Sequence, residues 1–371
     1  MIRFSKPDIL KDDIIEVNKI LKSGWLAHGK YTKKLESLFC KFTGSKYAIA
    51  VSSCTAALHI SCLTSNFKKN DEVLVSSQTH TATAHAIEYT GAKPIFVDCN
   101  PINGNIDVND IKKKISKKTK GLIIVHMNGL PCEMNEINQI VKKEKIKLIE
   151  DCAHALGSNF NDNHCGTFGL SGCFSFYPTK QITSGEGGMI ITNSKKFYDK
   201  AKKIRAFGID LDPINRKIPG HYDVKYLGFN YRMTDFQACL AYKQLTRYTK
   251  RLKLRKENAN LYFNLLKDNQ VILKENNFSN NCSFFLYQIV LKSKSIRNLL
   301  IEILKKKKIG FSIHYAKPVP LMSYYRLKYK IKAIDFYNSN FYSNRVLSLP
   351  VNDHIKSKQI KYICNIINNL K

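Results

Sequence analysis

Long apolar runs are missing from this chain of 371 residues. No window approaches the roughly eighteen consecutive apolar residues of a membrane-spanning helix, and the N-terminal MIRFSKPDILKDD has no apolar segment of the kind a secretory signal carries. A soluble, cytoplasmic protein with no membrane partner is expected. Paired cysteines are missing too. The eleven cysteines are odd in number and scattered singly in apolar contexts such as SGCFSF and ALHISCL, with no C-x-x-C and no H-E-x-x-H. This argues against a disulfide framework or a zinc site and for buried, reduced thiols without a metal.

Acidic residues are scarce, with 29 Asp and Glu against 60 Lys and Arg and a formal net charge of +31. Such an excess attracts anions and raises the question of a nucleic-acid partner. The excess is mostly lysine, however, and the runs KKKISKK (112–118) and KKKK (305–308) lack the interleaved aromatics on which bases stack. They read as solvated helix faces, so no nucleic-acid partner is expected; small anionic substrates suit the charge.

What is present is alternation. YAIAVSS (47–53), EVLVSS (72–77), KPIFVDC (93–99), GLIIVHM (121–127), KLIEDCA (147–153), CFSFY (173–177) and GMIIT (188–192) are short runs rich in Val, Ile and Phe. Helical stretches at 55–66, 80–90, 107–117 and 133–145 lie between most of them. Crossovers of this kind imply an α/β fold with a mostly parallel sheet covered by helices. After about residue 234 a long helical segment leads to FFLYQIVL, a helix near 295–308, GFSIHY and a closing helix. With 44% hydrophobic residues the chain can bury one large core and a smaller second one; the expected division is 1–245 and a smaller C-terminal α/β domain, 246–371.

Open parallel sheets bind ligands at the carboxyl ends of their strands, so the strand ends carry the functional reading. YAIAVSS runs into CTAAL, where a Ser/Thr cluster serves either as an ordinary helix N-cap or as a cradle whose free N–H groups hold a phosphate. KLIEDCAHALGS places Glu150, Asp151 and His154 at the end of a buried strand. Asp151 there needs a hydrogen-bonding partner, either a neighbouring lysine or a protonated ligand atom. FSFYPTKQITSGEGGMIITN puts Lys180 after a strand, ahead of Gly185, Gly187 and Gly188, which allow unusual turns and close backbone approach. Lys180 alone reads as a surface lysine; Glu186 reads as loop architecture. A phosphate cradle, a carboxylate for a ring nitrogen and a lysine for a carbonyl are together the groups that pyridoxal 5′-phosphate (PLP) asks of a protein.

The chain also resembles the DegT/DnrJ/EryC1/StrS family of sugar aminotransferases, which have the fold-type I PLP architecture. The resemblance runs nearly end to end, through SGWLAHGKYTKKLE, AVSSCTAALHI, THTATAHAIEYTGAKPIFVD, IEDCAHALGS, FSFYPTKQITSGEGGMI, IRAFG, LGFNYRMTDFQACL, SIHYAKPVPLMSYYR and LSLPV. It implies that Lys180 binds PLP covalently and that Asp151 pairs with the pyridine nitrogen. His154 matches a position near the phenolic oxygen, Thr55, Ala56 and Ser175 match phosphate contacts, and His80 sits where the family has a ring stacked on the cofactor. Asn230 and Arg232 match a segment offered across a dimer interface, the asparagine to the partner's phosphate; Trp25, His314 and Tyr315 match positions near the sugar.

The family includes dehydratases in which histidine replaces the lysine, and the lysine at position 180 points to transamination instead. The expected reaction takes an amino group from L-glutamate to a nucleotide-diphosphate keto-deoxyhexose, with a 4-keto-6-deoxy sugar favoured over a 3-keto isomer. A homodimer with shared active sites is expected, and the alternative outside catalysis is a PLP-binding regulator.

Overall fold

The computed structural model describes residues 1–27, 29–210, 218, 220–273 and 281–370. Of the stretches quoted above, only His28 of SGWLAHGKYTKKLE lies outside the described residues. Two helices, α1 (Lys11–Ser23) and α2 (Lys30–Thr43), precede the first strand; the periodicity reading assigns none there. The alternation then follows as expected: β1 (Tyr47–Val51), α3 (Cys54–Thr64), β2 (Glu72–Ser76), α4 (Thr81–Glu88), β3 (Lys93–Val97), α5 (Val108–Lys114), β4 (Thr119–Val125), α6 (Met134–Lys143) and β5 (Lys147–Asp151). A short hairpin, β6 (Asn159–Phe160) with β7 (Asn163–His164), leads into β8 (Ser171–Ser175) and β9 (Gly188–Thr192).

Seven strands form one sheet in the order β1-β9-β8-β5-β4-β2-β3. The pairs from β8 to β3 are all parallel, and β9 runs antiparallel to both its neighbours. Leu74, Ile123, Ile149, Cys173 and Ile190 are buried along the middle of the sheet, which explains why these strands read as continuous apolar runs rather than alternating ones. Helix α3 is buried around most of its circumference, packing on α4 and α7 as well as on β8 and β9.

The remainder comprises α7 (Lys195–Arg205), α8 (Asp235–Thr246), α9 (Tyr248–Leu266), β10 (Tyr287–Val290), α10 (Lys294–Lys306), α11 (Ser323–Lys328), α12 (Tyr337–Arg345), β11 (Val346–Leu349) and α13 (Ser357–Asn368). Strand β10 pairs antiparallel with β11, whereas GFSIHY contributes the single bridge of Ser312 to Ser348, just after the bridge of Ile2 to Ile309. Ile289, Leu300, Leu347, Ile360 and Ile363 form the C-terminal core. The stretch around α11 behaves differently: Val319, Leu321, Tyr325 and Phe336 pack into the main core beside α4 and β3.

The carboxyl end of β5 is fixed from the face opposite Asp151, since successive strand residues point to opposite sides. Glu150 is fully buried there and accepts from the backbone N–H groups of Gly166, Phe168 and Gly169 at 2.6, 2.8 and 2.7 Å. His126 lies 3.0 Å from its Oε2. Because the Cys132 N–H donates to His126 Nδ1 at 3.1 Å, the ring proton belongs on Nε2, aimed at Glu150. Cys152 completes a cluster with the spacing of a cation site, yet both imidazole nitrogens and both carboxylate oxygens are already engaged in hydrogen bonds. Removing the carboxylate with Glu150→Ala leaves three backbone N–H groups and the buried His126 Nε2 without their partner. The expected loss is about 3–5 kcal/mol of unfolding free energy, measured by urea titration; a loss below about 1 kcal/mol would show that this network does not hold the strand end.

Candidate active site

Three adjacent parallel strands, β4, β5 and β8, end at Val125, Asp151 and Ser175, and all three residues border one cavity of about 450 Å³. Across it stands the N-terminus of α3. Ser53 caps that helix, its Oγ accepting the Ala56 N–H at 3.0 Å, while Cys54 and Thr55 line the cavity. Ala56 is buried and its N–H is taken by the cap. The N–H groups facing outward at this helix end are therefore those of Cys54 and Thr55, where the helix dipole favours an anion.

Asp151 is 3% exposed. Its Oδ2 accepts from Thr83 Oγ1 at 2.8 Å and its Oδ1 from the Ala153 N–H at 3.0 Å. These neutral donors hold the carboxylate without a lysine salt bridge, and each oxygen retains a lone pair for a protonated group in the cavity. Thr83 stands in the first turn of α4, and no spacing in the sequence connects it to Asp151.

Lys180 borders the cavity on a loop that closes on itself. Phe176 donates to the Gly187 carbonyl at 2.9 Å and accepts from Ser184 N–H at 3.0 Å and Thr183 Oγ1 at 2.9 Å. Gly185 has φ +81°, and a Cβ at Gly188 would come within 2.6 Å of the Ser53 backbone. The glycines thus serve two needs: a left-handed turn at 185 and close approach of β9 to the α3 cap at 188. Glu186 also borders the cavity; its carbonyl accepts from Ser184 Oγ at 2.8 Å and Gln237 Nε2 at 3.0 Å, an anchored position in keeping with its reading as loop architecture.

Among the described residues the Lys180 amine has no hydrogen-bond acceptor, and it sits 4.4 Å over the ring of Phe285. Surrounding protein displaces water from it and lowers its pKa to about 8, against weaker support for the charged form from Cys54 and Asp151. The histidines of the cavity are neutral for the same reason. Burial holds His154 well below its ordinary value, lowers His80, and pushes His314 down to about 3. His154 Nδ1 accepts the Asn128 N–H at 3.4 Å, which leaves Nε2 to face Tyr315 Oη at 3.4 Å. His314 Nδ1 lies 3.1 Å from Ser348 Oγ. His80 caps α4, accepting the Ala82 N–H at 3.2 Å.

Of the residues singled out in the sequence, Thr55, His80, Asp151, His154, Ser175, Lys180, His314 and Tyr315 meet at the cavity. Ala56, whose N–H the Ser53 cap takes, is absent from its lining, and so are Trp25, Asn230 and Arg232. Trp25 is 61% exposed, and its segment is tied to the 230–235 stretch by the Asp235 N–H to Leu26 carbonyl bond at 2.8 Å and the Ala27–Thr234 bridge. Arg232 Nε donates to Asn230 Oδ1 at 3.0 Å, with its guanidinium over the Phe207 ring. These three residues form a separate platform outside the chain's own cavity. Cys54, Thr83 and Phe285 are the site residues that sequence reading passed over. Cys54 opens CTAAL itself, whereas Phe285 carried no signal beyond an apolar run.

The groups present fit PLP: an amine for its aldehyde, a carboxylate with spare lone pairs for its ring nitrogen, and a helix N-terminus for its phosphate. Known proteins agree. The profile of the DegT/DnrJ/EryC1/StrS aminotransferase family matches residues 7–368. GDP-perosamine synthase of Escherichia coli O157:H7 is 34% identical over 95% of this chain and 93% of its own. Among solved structures, the Helicobacter pylori aminotransferase PseC, involved in the biosynthesis of pseudoaminic acid, superposes with a TM-score of 0.91 at 28% identity, covering 99% of this chain and 98% of that one. The putative sugar aminotransferase Spr1654 of Streptococcus pneumoniae, in its PMP form, reaches a TM-score of 0.93 at 27% identity over 100% and 99%. The chain belongs to the DegT/DnrJ/EryC1/StrS aminotransferase family, and it is a PLP-dependent aminotransferase.

Proposed function

We propose that this enzyme moves an amino group from L-glutamate to a nucleotide-activated keto-deoxyhexose in the cytoplasm, with a 4-keto-6-deoxy sugar as the favoured acceptor and a 3-keto isomer as the alternative. The observation that carries the reading is the convergence of Lys180, Asp151 and the α3 N-terminus on one cavity. The names of the similar proteins, GDP-perosamine synthase and PseC, support a sugar acceptor. No helix of the described residues is long and apolar enough to cross a membrane.

Bound PLP supplies an electron sink that lets an amine pass between two carbon skeletons. Lys180 would provide the covalent anchor and, when free of it, a base placed to move a proton at the donor's α-carbon. A pKa near 8 leaves a usable fraction of free amine near neutral pH. Asp151 would hold a proton on the ring nitrogen, and its bonds to Thr83 and Ala153 fix the carboxylate in advance. Neutral His154 offers an N–H on its Nε2 toward the cavity side occupied by Tyr315.

Glutamate brings two carboxylates, while the described cavity wall holds no guanidinium and its histidines are uncharged. A second copy of the chain completes the site in this reading. Its Asn230 and Arg232 reach the phosphate and substrate end, with Trp25 beside the sugar. The exposed Trp25, Tyr226 and Leu227 around that platform suit such a homodimer face.

The direct test is a panel of 3-keto and 4-keto deoxyhexoses on UDP, GDP and dTDP, incubated with the PLP-loaded enzyme and glutamate and read by mass. At least one is expected to gain an amine while 2-oxoglutarate accumulates; glutamate turnover without amination of any sugar would overturn the acceptor class. A second test follows from the amine. Burial disfavours the ammonium form, so the free-amine fraction rises about tenfold per pH unit up to about 8 and then levels off. Covalent capture of PLP by coenzyme-free protein should follow that curve, monitored by absorbance. A rate still climbing at pH values near the ordinary lysine pKa would contradict it.

A further inference from the structure

We propose that Phe285 is the resting platform of the Lys180 amine, a positioning residue whose aromatic face holds the amine beside the cavity whenever it is not covalently engaged. This deepens, and rests on, the reading of Lys180 as the covalent anchor. The amine lies 4.4 Å from the ring centroid, within the range where a ring's quadrupole attracts a cation. Among the described residues no oxygen accepts from it, so the ring is its defined neighbour.

Phe285 is itself immobilised. It is 4% exposed, its N–H donates to the Asn128 carbonyl at 3.0 Å, and its ring stacks on His154 at 4.4 Å and 22°. His314 meets it edge-on at 6.1 Å. The preceding Phe284 takes φ +46°, an uncommon conformation for a bulky side chain, at the turn that delivers Phe285 ahead of β10. The platform therefore comes from the C-terminal part of the chain, while the lysine comes from the loop between β8 and β9.

The titratable groups that border the cavity with the amine are Cys54, His80, Asp151, His154, Tyr177, Glu186, His314 and Tyr315. Burial raises Cys54 and Tyr315, keeping them as thiol and phenol, and keeps His154 and His314 uncharged. His80 is lowered as well. Of the two acidic groups, Glu186 is exposed, whereas Asp151 is buried and its oxygens already accept from Thr83 and Ala153. In this setting the π face contributes to holding the protonated amine in place. An aliphatic residue of similar bulk would fill the space without that attraction.

The test uses coenzyme-free full-length protein and reductive methylation by formaldehyde with cyanoborohydride, quantifying the Lys180 peptide by mass across a range of pH. Phe285→Leu is expected to lower the midpoint of Lys180 labelling by about one pH unit, the shift that a desolvated cation–π contact supports. Phe285→Tyr, which keeps the face, should match the native midpoint. If Phe285→Leu does not fold, Phe285→Met supplies the same comparison. A native midpoint in the aliphatic variant, or equal shifts in the aliphatic and Tyr variants, would overturn the proposal. Failure of the anchor reading would show separately, as PLP attached to some other lysine of the native protein.

Discussion

A lysine amine held in a water-poor cleft with no hydrogen-bond acceptor among the described residues, facing a carboxylate pinned by two neutral donors, is the condition on which the rest of this structure depends. In water the amine would be almost wholly protonated and the carboxylate would be solvated and mobile. In the cleft, burial lowers the pKa of Lys180 to about 8, and Thr83 and Ala153 hold Asp151 in a single orientation. Neither residue salt-bridges the other. Both remain ready for a ligand that carries an aldehyde and a basic ring nitrogen, which is the chemistry that PLP brings.

The scaffold supplies this condition through close approaches. Gly188 lets β9 run against the cap of α3, so the helix N-terminus and the Lys180 loop share one wall of the cavity. Glu150 draws the 166–169 loop under the end of β5, and Asp151 points the other way into the cleft. The C-terminal part closes the far side with Phe285, His314 and Tyr315. Each of these supports fixes where a reacting group stands.

Much of the fold was legible because its signals are local. Buried parallel strands show as apolar runs, helix starts show as Ser/Thr clusters, and the glycines mark the turn after Lys180. The mostly parallel sheet and the strand-end location of the site follow from those signals alone. Long-range contacts were not legible. Thr83 meets Asp151 because α4 packs beside β5's end, and Phe285 meets Lys180 because two distant segments converge. The pairing of VLSL with β10 carries no local signal either: GFSIHY is an equally short apolar run, and only tertiary pairing distinguishes the two. By resemblance Asn230 and Arg232 belong to a segment offered to a partner's site and Trp25 lies near the sugar; none of the three lines this chain's own cavity.

The chemistry assigned to this cleft reduces to one bond, between the amine of residue 180 and PLP. Borohydride reduction of the PLP-loaded protein, followed by peptide mapping, tests it most directly. The expected result is a reduced phosphopyridoxyl group on the peptide that contains Lys180 and on no other; the group on a different lysine, or on none, would contradict it.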